Sequence, residues 1–533
     1  MSLVSFQFIL FISVGCIIYY LVPKKIQWIV LLFLSYCFYL SGGRGTVVYI
    51  LVTTITVWGC GILLEYIDQN LQARMIQEAA SLGKEGKKAI KAKSNTQRRF
   101  LFWGVLIVNF GILAYLKYAN FFVNNINRLL GAIGGNQIPQ LSDLILPLGI
   151  SFYTFQTISY LIDIYWGRIK AEKNILHFAL YVSFFPQIVQ GPISRYQQLA
   201  VQFYEKHEFD LRKMESAALL MLWGYFKKMV ISNRAIAIVN AVFDFPENYG
   251  GAITVFAVLV YSLQQYADFS GGIDIITGVA ELFGIELTKN FKRPYFSTSL
   301  ADFWRRWHIS LGAWMRDYVF YPLAMTKGMG RLRRFVKARY GEEIAKVCPG
   351  AICNIVVFLI VGLWHGAHWH CIVWGLYNGI ILAISTLMEP FFVKVRTWCH
   401  VEDKSIKGVY KLFCIFRTFI IVNFGWFFDR AQLSNAAIMI KNVFTNFCIS
   451  ELSGKNVAVF GLIKRDYIFL LIAAIIIFAV SLFQEKKNCS VREFILNKPL
   501  VIRWSLLYAF IFFFVMGAVL LGGTKGDFMY AQF

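Results

Sequence analysis

The stretch VGLWHGAHWHCIVWGLYNG, Val361 to Gly379, decides the fold. It joins two apolar runs, Ala351–Leu363 and Ile372–Leu387. Read as helices with their flanking residues, these runs cross a hydrocarbon core roughly 30 Å thick, and the stretch between them is a turn at the outer membrane face. The turn carries His365, His368 and His370 within six residues. Gly362 and Gly366 flank the first histidine and let a backbone or a substrate come close.

Further runs of the same kind lie on both sides. They are Phe6–Leu21, Ile26–Leu40, Val47–Leu64, Phe100–Tyr118, Leu144–Leu161, Ala252–Ala267, Leu412–Phe428, Tyr467–Phe483 and Leu506–Leu521. Phe178–Val189 and Ala217–Ile231 are short or polar enough to be re-entrant. Of the 533 residues 58% are hydrophobic and only 16% charged, against about 25% charged in an ordinary soluble chain. The expected fold is all-α: a polytopic integral membrane protein with about eleven transmembrane helices plus re-entrant or interfacial ones. It divides into N-terminal helices with a basic loop (1–140), a core (141–430) and C-terminal helices (431–533).

The net charge of +23 is not a nucleic-acid signal, because the basic residues fall in loops between apolar runs. One loop holds Arg74 to Arg99, another Lys327 to Arg339, a third Lys486 to Lys498. The positive-inside rule makes all three cytoplasmic. Lys24 and Lys25 follow the first apolar run instead of preceding it, the reverse of a cleavable signal peptide. The N-terminus and the C-terminal tail are therefore expected outside, which needs an even number of spans, so at least one run is misassigned. Ten scattered cysteines without a CxxC pair read as structural thiols.

Polar islands near the runs carry the functional information, since a charge at a span centre costs roughly 2.5–3.5 kcal/mol on insertion scales. FFPQIVQGPISRY, Phe184 to Tyr196, sets Gln187 and Gln190 between two prolines that forbid a regular helix. In NFKRPYFSTSLADFWRRWHISLGAWMRDYVFYPL, Asn290 to Leu323, a helix over Asp302–Tyr318 places Trp304, Trp307, Leu311, Trp314 and Tyr318 on one stripe. Arg305, Gly312 and Arg316 fall on the neighbouring face, and His308 sits at the border. An interfacial amphipathic helix explains the stripe and the arginines; the arginines also suit donor phosphates. The three histidines of the opening stretch are spaced three then two, not the i, i+4 of helical metal ligands, and no metal is expected. His365, next to Trp364, suits general acid–base work instead. No phosphate loop or GxSxG elbow is present.

At these blocks the sequence resembles the membrane-bound O-acyltransferase family. The likeness is to its bacterial branch, typified by the alginate O-acetylation and teichoic-acid D-alanyl transfer membrane proteins. PLGISFYTFQ from Pro147, FFPQIVQGPI from Phe184, ADFSGGIDIITG from Ala267, NFKRPY and FWRRWHISLGAWMRDYVFYPL precede the opening stretch in the same order. The pattern departs at His368 and His370, where the family often has Asn and Thr, at Asn378, where it has a histidine, and at Gly272–Ile273, which replace a frequent Tyr-Ser pair. The resemblance implies helices around a central funnel and a functional His365 with His308 as a second polar position. Trp304, Arg305, Trp307, Gln187, Gln190, Asn290 and Trp364 are the candidate substrate-binding residues.

The implied activity is O-acyl transfer. No cofactor is expected to be bound; acyl-CoA, acetyl-CoA first, or an acyl-carrier-protein thioester enters from the cytoplasm as donor substrate. An envelope polysaccharide outside is the acceptor, served by an extracellular serine-esterase-like partner. D-alanyl transfer to teichoic acid is the alternative within the class, and a polysaccharide or lipid transporter or flippase the alternative outside it. The tail TKGDFMYAQF, Thr524 to Phe533, resembles the aromatic motif of a D-alanyl-system partner, which makes Tyr530 a candidate acyl relay.

Overall fold

In the computed structural model the described residues are 1–77, 83–141, 144–398, 408–453 and 460–517. Their regular structure is helical, with a single isolated β-bridge. Six helices are long and apolar enough to cross a membrane: Arg44–Gln77, Lys84–Ala132, Glu342–His365, Trp369–Val395, Gly408–Arg430 and Lys464–Lys487. Two shorter apolar helices, Phe6–Leu21 and Leu500–Val515, accompany them. The chain is a multi-pass membrane protein.

Two expectations about the basic segments are corrected. The segment from Lys84 to Arg99 is the first third of the helix Lys84–Ala132, and Lys327 to Arg339 lies in the helix Lys327–Tyr340. Lys, Arg, Ala and Glu are good helix formers, so a cluster of them outside the bilayer extends a helix as readily as it makes a loop.

The chain forms two compact units. The first comprises 1–211 with 279–288. Within it, Phe184–Ser194 is broken backbone: the helix Ile175–Ser183 stops, one turn forms over Phe185–Ile188, and every residue from Phe178 to Ser194 is buried. Gly149, at φ +69, makes this packing possible, because a Cβ there would lie 1.9 Å from the Ile188 carbonyl oxygen. Gln187 Nε2 donates to Gln156 Oε1 at 2.9 Å, and Gln156 Nε2 to the Tyr181 carbonyl at 2.8 Å. Gln190 is wholly buried.

The second unit comprises 212–278 with 289–533. The run expected at Ala252–Ala267 is part of a longer helix, Gly251–Leu282. Its Asp268 and Asp274 are matched by consecutive lysines of a π-helical turn, Phe226–Ser232. Lys228 Nζ meets Asp268 at 2.6 Å and Lys227 Nζ meets Asp274 at 2.7 Å. Extra winding in the π turn brings both lysines toward one partner helix, and Ser232 Oγ adds a 2.8 Å bond to Asp268. Buried charges persist when paired and hydrogen-bonded in this way.

The helices Glu342–His365 and Trp369–Trp398 fold back on each other and pack through glycine. A Cβ on Gly375 would lie 2.3 Å from the Phe358 carbonyl, and one on Gly362 would lie 2.5 Å from the Cys371 carbonyl. Without a hydrophobic drive between helices in lipid, such close backbone contact is a principal source of packing energy. Gly362 therefore has a structural task that its place beside the histidine concealed.

Candidate active site

His365 is the last residue of the helix Glu342–His365; Gly366 then turns extended and the return helix starts at Trp369. The imidazole is buried, and the Trp374 ring meets it edge-on at 4.8 Å between centroids. The Trp364 ring also meets it edge-on, at 5.2 Å.

His308 reaches the same place by a different route. The continuous helix expected over Asp302–Tyr318 does not form. The helix Leu300–Trp304 ends, Phe291 and Trp307 pair as an antiparallel bridge, and a new helix runs from Ile309 to Met315 before a π turn, Arg316–Phe320. The bridge is held by Lys292 N–H to the Arg306 carbonyl at 2.9 Å and Ile309 N–H to the Asn290 carbonyl at 3.0 Å. His308 occupies the joint at φ 48°, ψ 52°, a left-handed conformation that costs a non-glycine residue roughly 1–3 kcal/mol. The bridge and the packing on either side hold it there. Its ring lies 5.8 Å from Trp364 and 4.9 Å from Phe269. Trp364 thus contacts both imidazoles.

Asn290 organises the joint. It is 1% exposed, and its Oδ1 accepts from Ser310 N–H at 3.0 Å and from Ser310 Oγ at 2.9 Å. The same oxygen faces His308 Nδ1 at 3.2 Å. The backbone N–H fixes which end of the amide is oxygen, and an amide oxygen only accepts. His308 Nδ1 therefore carries the proton, and in the neutral ring Nε2 keeps the lone pair. Burial pushes the imidazole pKa well below its ordinary value, and His365 nearby adds to the effect. His308 is a neutral proton acceptor.

The remaining candidates separate. Trp304 Nε1–H donates to Asn378 Oδ1 at 3.2 Å, and its ring meets Trp374 at 5.6 Å, so it belongs to the histidine cluster. Trp307 stacks on Phe303 at 5.5 Å and meets Phe291 and Trp426, an environment of core rings. Arg305 is exposed. Its neighbour Arg306 is the tied arginine, bound to Asp302 at 3.1 Å and to Glu485 at 3.3 Å, with Arg293 also on Glu485 at 2.7 Å. Gly312 has as its near neighbour the Trp304 carbonyl, 3.4 Å from where a Cβ would be. Gln187 and Gln190 lie in the first unit. His368 and His370 stack at 5.4 Å, and His370 Nδ1 is 3.1 Å from the Phe428 carbonyl. Tyr530 lies outside the described residues. Trp374, Asn378 and Phe269 were not among the candidates. The first two stand one turn apart in the opening stretch, on one face of the return helix, a spacing that offered a signal.

Comparison with known proteins places the chain in a family. The family model described as MBOAT, membrane-bound O-acyltransferase family, matches residues 169–337. The protein named "Probable alginate O-acetylase AlgI" of Pseudomonas syringae pv. tomato is 31% identical over 452 residues, 84% of this chain and 75% of that one. A peptidoglycan O-acetyltransferase of Helicobacter pylori is 33% identical over 361 residues, 63% of this chain and 62% of the relative. A teichoic acid D-alanyltransferase of Bacillus subtilis is 28% identical over 329 residues, 56% of this chain and 76% of the relative. A catalytic enzyme family, a multi-pass helical fold and paired buried histidines agree: the chain belongs to the membrane-bound O-acyltransferase family and is an O-acyltransferase.

Proposed function

We propose that the protein O-acetylates an envelope polysaccharide, taking the acetyl group from a cytoplasmic thioester and passing it across the membrane. The observation that carries this reading is the meeting of His308 and His365 on Trp364 in a buried site. A thioester is already activated, so the chemistry needs a base for the acceptor hydroxyl and donors for the oxyanion. His365 takes the hydroxyl proton. The freed oxygen attacks the thioester carbonyl, the carbon–sulfur bond breaks, and the thiolate leaves with the proton that His365 took, which returns the imidazole to its neutral form. The Asn290 contact supports an orienting role for His308, which offers Nε2 as an acceptor, over a role as the acid that protonates the thiolate.

The acyl group is acetyl in this reading because O-acetylating relatives match more of this chain, at higher identity, than the D-alanyltransferase relative does. Either acyl-CoA or an acyl carrier protein can supply the thioester. In the relay form of the mechanism the Tyr530 phenol is the first acceptor. A phenyl ester is more activated than an alkyl ester, so onward transfer to a sugar hydroxyl, through an extracellular serine-esterase-like partner, runs downhill and returns the phenol proton.

The test is ester content of the envelope polysaccharide from cells carrying the wild type, His365→Ala or Tyr530→Phe at matched protein levels. Mass spectrometry of the C-terminal peptide accompanies it. Loss of ester in both variants and an acetyl mass on Tyr530 are expected. An active Tyr530→Phe variant with an unmodified peptide removes the relay, and an active His365→Ala variant removes the base.

A further inference from the structure

The helix Lys327–Tyr340 carries six basic residues and no acidic one. Its Val336 is buried, which fixes its inner face. At 100° per residue the line opposite Val336 holds Lys327, Arg331 and Arg334, spaced i, i+4, i+7, with Gly330 beside it. The cations of this helix are not equivalent. Arg333 and Lys337, on another face, converge on Glu342 at 3.0 and 2.6 Å. Lys327, Arg331 and Arg334 have no carboxylate within ion-pair distance among the described residues. They rim a hollow of about 530 Å³ whose floor is Gly330. No atom lies within 4 Å of where a Gly330 Cβ would stand, so a side chain at this position would enter the hollow.

A row of cations facing water would need no hollow, and its flanks would be polar. Here Phe335, on the flank away from Arg333 and Lys337, is apolar and 62% exposed, and Met325, two residues before the helix, is 79% exposed. One residue, Gly341, separates the helix from the candidate span Glu342–His365. This puts the stripe at a membrane surface, where phosphate groups are dense and apolar side chains insert beneath them.

We propose that Lys327, Arg331 and Arg334, closing over Gly330, form a binding site for the phosphodiester headgroup of an anionic membrane phospholipid. Arginine gives paired N–H donors in a plane suited to two phosphate oxygens, and lysine adds a point charge. Phe335 and Met325 lie where the glycerol and first acyl carbons emerge. A soluble phosphate offers the same anion but makes no use of the apolar flanks. The site does not depend on the acyl-transfer reading, and its test reads lipid, not catalysis.

The full-length protein is purified in a zwitterionic detergent and given a one-to-one mixture of phosphatidylglycerol and phosphatidylcholine. Retained lipid is counted by native mass spectrometry. The wild type is expected to keep phosphatidylglycerol selectively. The triple variant Lys327→Gln, Arg331→Gln, Arg334→Gln is expected to lose affinity on the order of a hundredfold, near five-fold per cation. Gly330→Leu keeps every charge and fills the hollow, and is expected to lose most of the retained lipid. Arg333→Gln with Lys337→Gln is expected to keep it. The proposal is overturned by undiminished retention in both the triple and the Gly330→Leu variants. It is equally overturned by an equal loss in the Arg333/Lys337 control, or by full displacement of the lipid by millimolar inorganic phosphate, which marks a soluble-anion site.

Discussion

Asn290→Asp changes one atom of the joint that holds His308. The carboxylate accepts the two Ser310 donors as the amide does, at 3.0 and 2.9 Å, so the local backbone is kept and those donors keep the new carboxylate ionised. What changes is a full negative charge 3.2 Å from His308 Nδ1. At that separation the attraction to an imidazolium is about 1 kcal/mol in a water-like medium and about 5 kcal/mol at an effective dielectric constant of 20. Those bounds correspond to a rise in the His308 pKa of about 1 to 4 units. The sign follows from the site: in the wild type burial disfavours the cation, so the ring is neutral, whereas the variant stabilises the cation. As pH falls, the variant protonates Nε2 first and loses its acceptor. Acyl transfer by the purified protein, measured as thiol release from acetyl-CoA between about pH 5.5 and 9, should therefore lose its acid side at a higher pH in Asn290→Asp than in the wild type, while activity at the alkaline end is largely kept. A profile that superimposes on the wild type, from protein of equal melting temperature, refutes the neutral-acceptor assignment of His308.

Three further outcomes follow from the packing and the relay. Asp268→Asn removes the carboxylate 2.6 Å from the Lys228 ammonium, which is 2% exposed, and should cost about 3–5 kcal/mol; adding Lys228→Met should recover most of the melting temperature lost in detergent. Gly375→Val drives a side chain into the Phe358 carbonyl, 2.3 Å from the new Cβ, and should separate the two helices that bear His365 and Trp374, lowering stability and turnover together. Gly104→Val, where nothing lies within 4 Å, is the matched change expected to leave both measurements near wild type. Tyr530→Phe should leave first-turnover thioester binding intact while abolishing the acyl-protein species seen by mass spectrometry.

His365 was legible in the sequence because its surroundings are local. The apolar run before it, the glycines and the return run occupy one window, and the structure places the residue at the end of a span as that window implied. His308 was legible as a residue but not as a geometry. The recurrence of Trp304, Trp307, Leu311, Trp314 and Tyr318 satisfies a helical period, yet the chain breaks between Trp304 and Ile309. The break is dictated by pairing with Phe291, sixteen residues earlier, and no local period reveals a cross-chain bridge. Asn290 is legible as a polar candidate, but that its oxygen serves His308 and Ser310 shows only in the structure. The Lys227 and Lys228 pairs are not legible in the sequence because their carboxylates lie forty or more residues away, in a block that entered only through its family likeness. Local chemistry survives translation from sequence; partners brought together by tertiary packing do not.

The central claim is that His365 is the base of an acyl transfer. The direct measurement is thiol release from acetyl-CoA by purified wild-type and His365→Ala protein, in the same lipid, with the His368→Ala protein as a matched histidine loss. The account predicts turnover reduced by a factor of roughly 10² or more in His365→Ala, and near wild-type turnover in His368→Ala. Equal turnover in the wild-type and His365→Ala proteins would contradict it.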